Sequence, residues 1–162
     1  MAGPTVAIIV PAFNAEATLG DALGGLLSQR PAPPDRIVVV DDASRDGTRR
    51  VAEAFATRHP GRIEVVGRET NRGEAAALND GFSRATEDRI GIVEADVLVA
   101  PDWLARLGQR LEETTAVGAG GALRPFPGDS WAARLAGYEV ERRQGSQEAQ
   151  VERELRHVSS AN

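Results

Sequence analysis

Four short runs of β-branched and aliphatic residues, "VAIIV" at 6–10, "RIVVV" at 36–40, "IEVV" at 63–66 and "RIGIV" at 89–93, alternate with longer stretches in which apolar residues recur at helical spacing. This alternation constrains the fold more than any other feature of the chain. Strand, amphipathic helix and strand in succession form the pattern of crossover connections around a mostly parallel sheet. It predicts strands near Val6–Val10, Arg36–Val40, Ile63–Val66 and Arg89–Val93, and a fifth near Val117–Leu123. Helices are expected near Ala15–Gln29, Asp46–Arg58, Gly73–Ala85 and Pro101–Glu113, with Pro101 at the favoured first helical position. The expected fold class is therefore α/β, a mostly parallel sheet flanked by helices.

At 162 residues the chain is long enough for one domain with a real core, and the short connections leave no linker within the α/β part. Its 41% hydrophobic and 27% charged residues are ordinary for a soluble globular protein, and no apolar run has the length of a membrane span. The apolar start "VAIIV" is too short for a signal peptide and lacks a basic flank. Without cysteine there is neither a disulfide framework nor a thiolate metal site, which fits a cytoplasmic setting. A formal net charge of −5 argues against nucleic acid as a partner, and four Phe, two Trp and one Tyr are too few for base-stacking platforms. His59 and His157 lie far apart, with nothing near either that suggests a catalytic pair. From Ala132 to His157 the chain reads as a charged helix, and "VSSAN" closes the sequence without a final element, so further chain is expected beyond it.

Open parallel sheets bind ligands at the carboxyl ends of their strands. All the unusual polar residues fall at such turns: "PAFNAEA", "DDASRDGT", "ETNRGEAAALND" and "EADVLVAPD". The first has neither the glycines of a dinucleotide fingerprint nor a phosphate-loop signature. Pro11 to Asn14 instead offer a fixed backbone, an aromatic face and an amide that could hold a flat base, although Phe13 is equally suited to the core. In the second turn, alternation along the strand sends Asp41 and Asp42 in different directions, so that one can serve the fold and the other a ligand. Either could instead cap the turn before Asp46. Glu94 and Asp96, two apart, share one side of an extended segment, as hard cations such as Mg²⁺ and Mn²⁺ require of oxygen ligands, or form a solvated surface turn.

In order and spacing, an apolar strand and PAFNAEATL, then VVVDDASRDGT, NRGEAAALNDG and EADV with APDWL, the chain resembles the donor-binding half of family 2 glycosyltransferases over about residues 4–125. Their fold is the Rossmann-like, A-type nucleotide-diphospho-sugar transferase fold. The resemblance implies a donor-binding domain at 1–125 and a helical extension at 126–162 leading toward an acceptor-binding part. It places Pro11, Phe13 and Glu16 around the uracil and ribose, and Asp42 at the base. Asn71, Arg72 and Gly73 open the loop beside the nucleotide, and Asn79 belongs to the helix that follows. Glu94 takes the first position of the family's D-x-D motif, near the ribose, and Asp96 takes the last, on the divalent metal (Mn²⁺ or Mg²⁺) that holds the diphosphate.

Two residues depart from the family's pattern. Glu94 is one methylene longer than the usual Asp, and Glu74 stands where many relatives carry Lys, reversing a charge beside the expected diphosphate. The implied activity is inverting transfer of a sugar from a UDP-sugar to a glycan or lipid-linked acceptor, with possible membrane association through the acceptor half. That half would also hold the catalytic base, and nothing from Gly128 to Asn162 resembles its motif, so this chain is expected to bind the donor without transferring it. Two other readings remain: a non-catalytic nucleotide-sugar-binding module, and a sugar nucleotidyltransferase, which would need a Gly-rich basic loop where "PAFNAEA" stands.

Overall fold

The computed structural model describes residues 3–122. The chain divides into two units, Met1–Thr115 and Ala116–Asn162, and the first carries every helix and strand among the described residues. Strands and helices alternate throughout: β1 (Val6–Ala12), α1 (Leu19–Leu27), β2 (Arg36–Asp41), α2 (Thr48–Arg58), β3 (Ile63–Gly67), α3 (Glu74–Phe82), β4 (Arg89–Ile92) and α4 (Trp103–Glu113). The four strands form one sheet in the order β3-β2-β1-β4, with every pairing parallel.

Burial on both faces explains why β1 and β2 read as unbroken apolar runs. Ile8, Val10, Ile37 and Val39 pack on one face with Leu19, Leu23 and Leu26 of α1 and Ala52 of α2. The residues between them turn the other way, where Val38 and Val40 meet Ala77 of α3. In α1, Leu19, Ala22, Leu23 and Leu26 recur at three- and four-residue intervals and form a single buried stripe. The outer strands β3 and β4 are only half-buried, and Ile90 and Ile92 of β4 stay exposed.

The four strands and four helices of the α/β part lie where the periodicity puts them, with shifted ends. The first helix starts at Leu19 rather than Ala15, α3 stops at Phe82 rather than Ala85, and α4 begins at Trp103, after a turn that contains Pro101. The expected fifth strand does not form over residues 117–122, which are exposed and carry no strand pairing. Three glycines there, at 118, 120 and 121, raise the entropy cost of an extended strand and give it no side chains to pack. Leu123, the charged stretch Ala132–His157 and all of the proposed extension at 126–162 lie outside the described residues. No helix among the described residues is long and apolar enough to cross a membrane.

Candidate functional site

Strand order reverses at β1, with β2 on one side and β4 on the other, the place at which open parallel sheets form a crevice above the carboxyl ends of their strands. A cleft of about 510 Å³ occupies that place. One wall is Pro11–Ala15, the end of β1 and the turn that follows it, and the opposite wall is Glu94–Asp96 after β4. Thr18 before α1, Asp42 directly after β2, Asn71 and Gly73 of the loop before α3, and Glu74 and Ala77 of α3 complete the lining.

The first wall is held by hydrogen bonds from the turn after β2. Asn14 N donates to Ser44 Oγ (3.0 Å), and Asn14 Oδ1 accepts from Arg45 N (2.9 Å). Ala15 N donates to Thr48 Oγ1 (2.7 Å), and Glu16 N to Asp46 Oδ2 (3.1 Å). Glu16 returns the connection, since its carboxylate accepts from Gly47 N at 2.9 Å and from Arg50 at 2.7 Å. Asn14 and Ala43 take left-handed backbone conformations, φ 50° and 60°, to make this clasp. For alanine that costs about 1–2 kcal/mol, which the surrounding bonds must offset. Phe13, at 49% exposure, belongs to the cleft and not to the core.

Adjacent Asp41 and Asp42 do diverge. Asp41 Oδ1 accepts from Ser44 N (3.1 Å) and closes the turn. Asp42, also buried, reaches the loop before α3: its oxygens accept from Arg72 N (3.1 and 3.2 Å) and from Gly73 N (2.8 Å). Gly73 makes this possible with φ +86°, a conformation that side chains disfavour. Behind Asp42 lies Arg68, whose Nη1 is 3.3 Å from Asp42 Oδ1.

The opposite wall is acidic. Burial, then the charges of Glu74 and Asp96 and a hydrogen bond with Glu74, push the Glu94 carboxyl up from its ordinary value. The segment that follows is anchored by Gln29, a buried residue just past the C-terminal end of α1. Its Nε2 donates to Ala100 O (2.7 Å) and Gly25 O (3.2 Å), and its Oε1 accepts from Leu104 N (2.9 Å).

Of the residues singled out from sequence, Pro11, Phe13, Asp42, Asn71, Gly73, Glu94 and Asp96 line this one cleft. Arg72 meets it through its backbone bond to Asp42. Glu16 and Asn79 stand outside the lining, Glu16 because its carboxylate is committed to Gly47 and Arg50. Arg68 and Gln29 were not visible in this role. A polar residue continuing the apolar stripe of α1 was the available signal for Gln29, and a cation directly after β3 was that for Arg68.

An α/β domain with its cleft at the strand-order reversal of a parallel sheet, an aromatic and amide wall on one side and carboxylates on the other, belongs to the class that takes its ligands across the strand ends. Residues 7–160 match the family described as Glycosyl transferase family 2, and the chain belongs to that family. It is 36% identical over 111 residues to EpsE of Bacillus subtilis (strain 168), covering 68% of this chain and 40% of that protein. With the succinoglycan biosynthesis protein ExoU of Rhizobium meliloti (strain 1021) it shares 40% identity over 113 residues, 69% of this chain and 31% of the relative. Among solved structures, the mannosyltransferase PcManGT of Pyrobaculum calidifontis, in complex with GDP-Man and Mn²⁺, superposes with a TM-score of 0.61 at 34% identity, covering 67% of this chain and 32% of that one. The chain thus spans less than half the length of each of these three proteins.

Proposed function

We propose that the domain binds a nucleotide-diphospho-sugar, a UDP-sugar in the first instance, and serves as the donor half of a metal-assisted transferase that passes the sugar to a glycan or lipid-linked acceptor with inversion. The observation that carries this reading is the cleft itself. Pro11, Phe13 and Asn14 face Glu94 and Asp96 across a space of about 510 Å³, with Asp42 at its floor. Phe13 offers a face for the base and Asp42 an acceptor for a base N–H.

The lining contains four carboxylates, Asp42, Glu74, Glu94 and Asp96, and no cationic side chain. A diphosphate entering such a cleft needs a counter-charge. Asp96 is exposed and has no hydrogen-bond or ion-pair partner among the described residues, so its oxygens are available to a hard cation. Among those residues no group of three potential ligands could hold a metal, so diphosphate oxygens and water would complete the coordination. When bound, the cation neutralises charge that develops on the departing nucleoside diphosphate. Glu94, less readily ionised than an ordinary glutamate, suits a hydrogen bond to a ribose hydroxyl beside it.

Calorimetry with UDP and with GDP, each with and without Mn²⁺, tests the reading. One of the two should bind, more tightly with the metal, and Asp96→Ala should remove the metal's gain while leaving metal-free affinity nearly unchanged. Equal enhancement in both proteins would take Asp96 out of the metal site, and failure of both nucleotides to bind would overturn the donor-domain reading.

A further inference from the structure

Arg68 follows β3 directly and is buried, with 8% of its side chain exposed. Its main chain is fixed, because Arg68 N donates to Asp41 O (2.9 Å) and so extends the β2–β3 pairing by one residue. From there its guanidinium spans two elements: Nη1 lies 3.3 Å from Asp42 Oδ1, and Nε lies 3.3 Å from Asp80 Oδ2 on α3. Nη1 has no aligned hydrogen-bond acceptor among the described residues, so its contact with Asp42 is one of charge.

A buried guanidinium held by charge contacts with poor hydrogen-bond geometry contributes little to stability, and an apolar side chain of similar volume would often do as well. Its value must lie in what it does to its neighbours. An ionised carboxylate has about four acceptor positions. At Asp42 the protein's own hydrogen bonds come from Arg72 N, shared between both oxygens, and Gly73 N, while the Arg68 guanidinium holds Oδ1 by charge alone. Acceptor capacity is thus left for the cleft that Asp42 lines.

We propose that Arg68 is a positioning residue for the nucleotide base: by holding Asp42 from behind, it directs the remaining acceptor capacity of that carboxylate into the cleft. The inference rests on the binding reading above. Its second anchor, Asp80, ties the same guanidinium to the helix whose first residues line the cleft, so Arg68 also fixes the distance between the cleft floor and α3.

The full chain with UDP and Mn²⁺ tests this in a double-mutant cycle, with affinities from calorimetry and folding checked by thermal unfolding. Arg68→Met should weaken UDP by about tenfold or more, the scale of a misdirected charged hydrogen bond, and Arg68→Lys should recover most of that loss. In an Asp42→Asn background, Arg68→Met should change affinity by less than about twofold, because the group it positions is gone. A packing role would instead give equal losses for Met and Lys and additive effects with Asp42→Asn, and that pattern overturns the proposal. Should Arg68→Met not fold, Asp80→Asn at the exposed end of the bridge decides: a loss of affinity in the parent that vanishes in Asp42→Asn supports the proposal, and an unchanged parent affinity overturns it. If the parent does not bind UDP, the binding reading falls and this inference with it; if Asp42→Asn binds UDP as tightly as the parent, Asp42 is not at the base and this inference falls alone. If Asp42→Asn is weak while Arg68→Met is silent, only this inference falls.

Discussion

Glu16 fills the space that a side chain on Gly47 would need. A Cβ built on Gly47 would overlap Glu16 Oε1, while Glu16 Oε2 accepts the Gly47 N–H at 2.9 Å. Gly47 has φ −79°, an ordinary value for any residue, so the requirement for glycine here is room for the glutamate and not backbone freedom. The turn after β1 and the turn before α2 are thereby locked, and with them the cleft wall that carries Phe13.

Gly47→Ala is accordingly expected to expel the Glu16 carboxylate and cost about 1 kcal/mol, the net worth of a hydrogen bond between partly exposed groups. Because both changes break the same contact, Glu16→Ala should add little in the Gly47→Ala background. Urea unfolding midpoints of the two single variants and the double variant would show this. Fully additive losses would mean that the two residues act separately.

Glu64 gives the fold a pH dependence of known sign. Its hydrogen bond with Arg36 lowers the Glu64 carboxyl most, burial opposes this, and Arg84 lowers it further. A folded-state value below the unfolded one makes a contribution that is present above the ordinary carboxylate value of 4.5 and is lost as pH falls through the lowered folded value. Glu64→Gln should therefore be less stable than the parent at neutral pH, and the two should converge as pH drops below that window. A difference in thermal midpoint that stays constant down to acid pH would assign the effect to packing.

How far the sequence foretold this arrangement depended on whether a residue's partner was near in sequence. Strands β1 and β2 were legible because burial on both faces leaves only aliphatic residues, a local signal. The start of α1 was not: the N–H groups of Ala15 and Glu16 are captured by Thr48 and Asp46, thirty or more residues away, so the helix begins only at Leu19. The cleft carboxylates were visible as unusual endings of apolar strands. The local pattern could not show that Asp42 organises the loop before α3, that Arg68 lies behind it, or that Glu16 turns from the base toward Gly47, since each depends on a distant backbone amide or charge.

Gln29 should matter through the two backbone groups it satisfies across the sheet end. Gln29→Leu keeps approximate volume but takes the acceptor from Leu104 N and leaves Ala100 O with the Trp103 N–H alone, a loss of about 1–3 kcal/mol for the group left unpaired. The same variant should blunt the gain in UDP affinity from Mn²⁺, because Gln29 anchors the segment that leads from Asp96 to α4. Denaturant unfolding and calorimetry would measure the two effects, and an unchanged midpoint would show that water replaces the amide.

Glu74 decides how much the cleft depends on a cation. It lies in the first turn of α3, lines the cleft, and together with burial and Asp96 raises the neighbouring Glu94 carboxyl. Its charge opposes a diphosphate at the helix N-terminus, a place that otherwise favours anions. Glu74→Lys reverses that charge, so metal-free UDP affinity should rise by about tenfold or more while the additional gain from Mn²⁺ shrinks; Glu74→Gln should fall between. The Glu94 carboxyl should move back toward its ordinary value in both variants yet remain raised, since burial and Asp96 persist. Calorimetry at low and high salt would separate the charge effect, which salt screens, from a change of fit, which it does not. If Glu74→Lys binds UDP no better than the parent at low salt without metal, the diphosphate does not lie beside α3, and the donor must enter the cleft in another orientation.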